Sequence, residues 1–144
     1  MVEVDEVDLK ILSMLQADGR LPFTEIAREL KLSESTIRKR VQSLEKRGVI
    51  KRFTIEIAPS KIGINTVAIV GVDVDPTKLL EAAQKFCEIE EIHCVATSTG
   101  DHMIITEIWS KDGRELTRIL SERIGTIAGV KKICPAIILE KLKS

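Results

Sequence analysis

Between Lys31 and Phe53 the chain reads KLSESTIRKRVQSLEKRGVIKRF, and eight of these side chains are lysine or arginine. Hydroxyls and an amide are set among them: Ser33, Ser35, Thr36, Gln42 and Ser43. Guanidinium and ammonium groups bind phosphate oxygens, and Arg, Gln, Ser and Thr also match the donors and acceptors on base edges. The chemistry this set could perform is noncovalent, a grip on a polyanion combined with reading of its bases. Averaged over the chain the charge vanishes, since 22 Lys+Arg face 22 Asp+Glu. The balance is not local. Residues 1–30 hold three basic groups against seven acidic, residues 31–60 eight against three, and residues 61–144 eleven against twelve. Clustered rather than averaged charge attracts a phosphate backbone, so a neutral chain with one basic block remains a candidate for binding nucleic acid.

A helix must carry these groups if they are to face one way. Ile37, Val41 and Leu44 stand at i, i+4 and i+7 as a narrow apolar stripe. At about 100° per residue, Ser35, Lys39, Gln42 and Lys46 lie opposite it, Arg38 beside that row, and Thr36 and Ser43 on the other flank. The row opposite the stripe contains no acid, whereas a merely solvated helix commonly mixes glutamate among its lysines. Ser33 caps the helix and Gly48 ends it. Upstream, Val4, Val7, Ile11, Met14 and Leu15 share one arc of a first helix, with Asp5 and Asp8 at its positive end. PFTEIAREL makes a short second helix, with Pro22 in its first turn and Ile26, Ala27 and Leu30 inward. The tight Lys-Leu-Ser joint after it gives a helix-turn-helix, whose second helix fits a major groove about 12 Å wide. GVIKRFTIEI then alternates apolar and polar residues and is expected as a wing strand with one buried face, from which Lys51 and Arg52 reach flanking phosphates.

After Pro59 the pattern changes. NTVAIVGVDV reads as a strand, and DPTKLLEAAQKF as a helix capped by Asp75 that turns Leu79, Leu80, Ala83 and Phe86 inward. EIHCVATST and HMIITEIW form a hairpin across Gly100-Asp101. DGRELTRILSERI is a helix burying Leu116, Ile119, Leu120 and Ile124, and VKKICPAIILEKL is a final strand. Pro135 lacks an N–H donor, so that strand belongs at a sheet edge or contains a bulge. The expected fold class is α+β: an N-terminal winged helix-turn-helix of three helices plus a strand over 1–57, a linker over 58–66, and a ferredoxin-like βαββαβ sandwich over 67–144.

Other chemistry finds little support. Cys87, Cys94 and Cys134 are odd in number without CxxC spacing, and are expected as buried thiols. His93 and Cys94 are neighbours in a strand, where alternation sends them to opposite faces, so no metal site is expected there. No nucleophile–base pair, phosphate-cradling glycine loop or paired carboxylates suggest a catalytic residue. The apolar runs are too short to span a bilayer, and the acidic N-terminus is unlike a secretory signal, so a cytoplasmic protein is expected. One Asn and three Gln beside abundant Lys, Arg and Glu suit a thermophilic source.

The combination of VDEVDLKIL, DGR, EIA, LSESTIRKRVQSLEKRGVIKRF and TGD, spread over residues 4–142, resembles the Lrp/AsnC family of feast/famine regulators. That resemblance implies a cytoplasmic prokaryotic, archaeal or thermophilic transcription regulator that binds double-stranded DNA. It further implies a homodimer formed through the C-terminal domain, assembly into octamers, and an amino acid or related metabolite bound between subunits, with no other cofactor. Ser35, Thr36, Arg38, Lys39 and Gln42 match the family's recognition-helix surface, with Ser33, Ser43 and Lys46 completing the face and Arg40 reaching a phosphate from nearer the stripe. The effector loop of the family maps to Thr97, Ser98, Thr99, Gly100, Asp101 and His102. Glycine there permits close approach, exposed N–H groups suit a carboxylate, and Asp101 suits an α-ammonium, although a plain hairpin turn also uses Gly-Asp. The chain departs from many relatives in placing Met103 where they carry an acid, and in opening its second helix with Pro22 rather than a capping serine. Two alternatives accompany this expectation: a sirohaem-decarboxylase-like enzyme of the same fold, and a DNA-compacting protein without an effector.

Overall fold

The computed structural model describes residues 3–144 and divides into two compact units, residues 1–57 and 58–144. The first contains α1 (Glu6–Ala17), α2 (Phe23–Leu30) and α3 (Glu34–Lys46). Asp5 and Asp8 start α1 as a reciprocal capping box: Asp5 Oδ1 accepts from the Asp8 N–H at 2.8 Å, and Asp8 Oδ2 from the Asp5 N–H at 3.3 Å. Ser33 caps α3 by accepting from the Thr36 N–H, and Gly48 at φ 76° turns the chain away from its end. Between α2 and α3, Lys31 takes a left-handed conformation at φ 56°. Ile11, Ile26, Ala27, Ile37 and Val41 form the core, so the stripe read on α3 is the one buried.

The expected wing strand is absent. Residues 51–58 form no strand and are exposed throughout, with Phe53 at 51%, Ile55 at 77% and Ile57 at 44%. Alternation supplies one apolar edge, but a strand also needs a partner ladder, and the first unit has no other strand among the described residues.

The second unit holds β1 (Thr66–Val74), α4 (Leu79–Cys87), β2 (Ile92–Thr97), β3 (Ile104–Ser110), α5 (Gly113–Arg118) and β4 (Val130–Ile137). The strands form one antiparallel sheet in the order β2-β3-β1-β4, the βαββαβ arrangement expected. Ala68, Val70, Val72 and Val74 of β1 and Ile104 and Ile108 of β3 pack with Phe86, Leu116, Ile119 and Ile124 in a single core. The buried Thr106 hydroxyl donates to the Val70 carbonyl at 3.0 Å, so this polar group is satisfied. Pro135 lies on the edge strand β4 opposite Val70, as its missing donor requires.

Two details differ from expectation. Leu80 is 80% exposed, and Ala82 is buried with Phe86 on the inner side of α4. The inward stripe of α4 runs Leu79, Ala82, Ala83, Phe86, at i, i+3, i+4 and i+7, and Leu80 lies about 100° round the helix from Leu79. The last helix continues beyond α5 as a π-helical stretch, Ile119–Ile124, which changes the spacing of its buried residues. Among the described residues, no helix is long and apolar enough to cross a membrane.

Candidate nucleic-acid interface

The side chains of α3 divide by their partners. Ser35, Lys39, Gln42, Ser43 and Lys46 are exposed, as are Lys51 and Arg52 beyond the helix. Thr36 is half-buried, and its hydroxyl lies 2.7 Å from that of Ser33. Among the described residues, Lys31, Lys39, Lys46, Lys51 and Arg52 pair with no acid, whereas Arg38, Arg40 and Arg47 do. Five of the eight basic groups therefore keep their charge open to solvent or a ligand.

Arg40 departs from its expected role. Its Nη1 donates to Asp5 Oδ2 at 2.6 Å and to Asp8 Oδ1 at 3.1 Å, so α1 already holds the guanidinium assigned to a phosphate. The arginine hydrogen bond holds the Asp5 carboxyl below its ordinary pKa, and the Asp5 bond in turn raises that of Arg40. Arg47 lies 3.7 Å from Asp8 and donates to the Glu3 carbonyl. The Asp8 side chain is only 7% exposed, so a buried carboxylate on α1 ties down Arg40 of α3 and Arg47 at its C-cap. Helix periodicity places Arg40 near the stripe but is silent on an acid 32 residues away.

Arg38 carries two contacts that the sequence reading lacked. Its Nη2 donates to Glu34 Oε1 at 2.6 Å, and its Cζ stands 5.8 Å from the centroid of the Phe23 ring. The Glu34 contact is an i,i+4 pair and could have been read from spacing.

In the second unit, Thr97, Ser98, Thr99, Gly100 and Asp101 form the exposed tip of the β2–β3 hairpin. Ser98 N–H donates to the Met103 carbonyl at 2.9 Å, and Gly100 sits at φ 106°, where a side chain would be strained. His102 leaves the tip and lies over β1. A Cβ on Gly71 would come within 2.3 Å of His102 Cδ2, so this glycine provides the room for the ring. The His102 Nδ1 lies 3.4 Å from Asp73 Oδ1. Thr97–His102 lines neither the groove of about 1040 Å³ in the first unit, between α1 and residues 49–56, nor the hollow of about 250 Å³ beside α4.

The sheet face away from the helices corrects two expectations. A bulge between Ile92 and Cys94 breaks the alternation of β2, so Cys94 pairs with Glu107 while His93 stacks on Trp109, with centroids 3.9 Å apart at 17°. His93 and Cys94 thus share this face, and among the described residues no cluster of potential metal ligands forms. Cys87 and Cys94 are exposed and Cys134 half-buried, rather than buried as expected. Cys94 and Cys134 stand on the side of the sheet away from the helices, paired with Glu107 and Gly71.

A helix-turn-helix with an open cationic row on its second helix has the geometry of a DNA-binding module, and the same chain joins it to a four-stranded α+β unit. A family model described as winged helix-turn-helix DNA-binding matches residues 4–51, and one described as Lrp/AsnC ligand binding domain matches residues 67–144. The chain belongs to the Lrp/AsnC family. It is 52% identical over 140 residues to the HTH-type transcriptional regulator LrpA of Pyrococcus horikoshii, covering 97% of this chain and 99% of that protein. It is 53% identical to LrpA of Pyrococcus abyssi, with the same coverage of both chains. Among solved structures, the feast or famine regulatory protein of M. tuberculosis complexed with L-methionine superimposes with a TM-score of 0.91 at 30% identity, covering 99% of this chain and 96% of that one. These relatives are named regulators, and the chain is not an enzyme; the sirohaem-decarboxylase alternative is set aside on that ground.

Proposed function

We propose that this chain is a sequence-specific transcription regulator of the cytoplasm, whose assembly or DNA affinity responds to an amino acid or related metabolite bound where subunits meet. The observation that carries the DNA reading is the row Ser35, Lys39, Gln42 and Lys46, exposed and free of acid, with both lysines unpaired among the described residues. Ser33, Ser35, Thr36, Arg38, Lys39, Gln42 and Ser43 supply base and phosphate contacts, and Lys46, Lys51 and Arg52 phosphate contacts. Arg40 is left out of that set, because Asp5 and Asp8 hold it.

The assembly is a homodimer that associates further into octamers. Apolar surface supports a second copy: the exposed edge of Phe53, Ile55 and Ile57 in the first unit, and the half-buried Trp109 and Cys134 on the sheet face of the second. Two copies of residues 51–57 paired antiparallel give each other the ladder that one chain lacks. A two-fold dimer presents two recognition helices about one helical turn apart, or a multiple of it, to a pseudo-palindrome. Thr97–His102 holds the effector, Gly100 admitting the ligand to the backbone and Asp101 taking the ammonium. The effector acts through its preference for one assembly state.

Footprinting at low ionic strength should show a protected operator with two half-sites, and a flat salt response or no protection overturns the DNA reading. Thermal shift combined with light scattering across the protein amino acids tests the effector. A cognate ligand at about a hundred times its Kd adds about 2.7 kcal/mol to stability, a rise of several degrees. No shift with any of them leaves the effector-independent DNA-compacting protein in its place.

A further inference from the structure

We propose that Glu34 and Phe23 are positioning residues that aim Arg38 at one base of the operator, and that Glu34 also sets specificity by opposing contact with phosphate. The inference rests on the DNA reading above and goes beyond it, because neither residue belongs to the cationic row.

The two contacts close on Arg38 from different elements. Glu34 is the first residue of α3 and accepts from Arg38 Nη2 at 2.6 Å, while Phe23 opens α2 and presents its ring 5.8 Å from the guanidinium carbon. Phe23 is itself fixed, being half-buried against the core of the first unit. A free arginine loses rotamer entropy when it is ordered, so one already held between a carboxylate and a ring loses less on binding. Stability is not the reason for the pair. Arg38 and Glu34 are 50% and 44% exposed, and exposed pairs contribute little to folding.

The arrangement favours a base over the backbone. Glu34 engages Nη2 and leaves the remaining donors of the planar fork free, and that fork matches the O6 and N7 acceptors of guanine in the major groove. The Glu34 carboxylate beside Arg38 repels an approaching phosphate anion far more than the uncharged edge of a base. Lys39, one residue further along α3 and without such a neighbour, remains free to take either kind of contact.

The test is selection of binding sites from a random DNA pool by the full-length protein, Glu34→Gln, Glu34→Asp, Phe23→Leu and Arg38→Ala. Anisotropy on an unrelated duplex accompanies each selection. In the wild type one position of each half-site should be dominated by guanine. Glu34→Gln should weaken that preference about tenfold and bind unrelated DNA about three to ten times more tightly. Glu34→Asp keeps the charge but shortens the reach, so it should retain the weak non-specific binding while losing the preference. Phe23→Leu should relax the same position alone. In an Arg38→Ala background, Glu34→Gln should leave the selected sequence unchanged, which a merely structural glutamate would not do. If Glu34→Gln selects the wild-type sequence with unchanged non-specific affinity, the inference is overturned and the DNA reading stands. If the wild type selects no sequence, both fall together.

Discussion

Arg38→Ala combined with Lys39→Ala should lower affinity for a selected operator by at least two orders of magnitude and leave binding to unrelated DNA only modestly weakened. Both side chains are exposed on the half of α3 that enters the groove, and neither contributes to the core stripe of Ile37, Val41 and Leu44. Each well-placed contact to a base edge discriminates by about 1–3 kcal/mol, so the pair carries a few kcal/mol of specificity. The non-specific remainder survives on Lys46, Lys51 and Arg52, which keep their charges unpaired among the described residues. Titration by anisotropy across a salt series separates the two parts. The double variant should lose its operator preference, and its salt slope should become shallower by about one for each phosphate contact removed. A double variant that keeps the wild-type ratio of specific to non-specific affinity would show that α3 does not read the bases.

The stripe of α3, its Ser33 cap and its Gly48 stop were legible in the sequence because they depend on neighbours within one or two turns. So was the edge position of β4, since Pro135 has no donor to give an inner strand. What escaped was long-range or irregular. Asp8 reads as a helix-dipole residue, and only the packing of α1 on α3 turns it into the partner of Arg40 and Arg47. The bulge before Cys94 brings His93 onto Trp109, and strict alternation has no place for it. Residues 51–57 show the opposite failure: the period of a strand is present, and the partner that would make it one is missing from the first unit. Of the effector loop, the sequence showed the turn at Gly100-Asp101 but not that His102 leaves it to lie over Gly71 beside Asp73.

The buried carboxylate of Asp8 gives the second large effect. Asp8→Ala should destabilise the first unit by about 2–3 kcal/mol, and its thermal midpoint should fall by roughly 10–20 °C. Three things are lost together: the bond from Arg40 Nη1 at 3.1 Å, the charge 3.7 Å from Arg47, and the acceptor in the capping box at 3.3 Å. Arg40, still bonded to Asp5, and Arg47 would then both lack their shared counter-charge. Removing one side of a fully buried pair costs about 3–5 kcal/mol; the lower figure applies here because the two arginines are 32% and 34% exposed. Asp5 adds a pH dependence of defined sign. Its folded pKa lies below the ordinary 3.8, so its stabilising contribution is complete above that pH and is lost as pH falls through the lower folded value. Stability should therefore be insensitive to this group near neutrality, and Asp5→Asn should flatten the acid limb of a plot of thermal midpoint against pH. For Asp8 the sharper comparison is with DNA. Asp8→Asn nearly preserves shape while removing the charge, and it should weaken operator binding well below the denaturation midpoint, because α3 is no longer held against α1 with its lysines outward. If calorimetry finds Asp8→Asn as stable as the wild type and operator affinity is unchanged, the division of the basic block into held arginines and free lysines has no energetic basis.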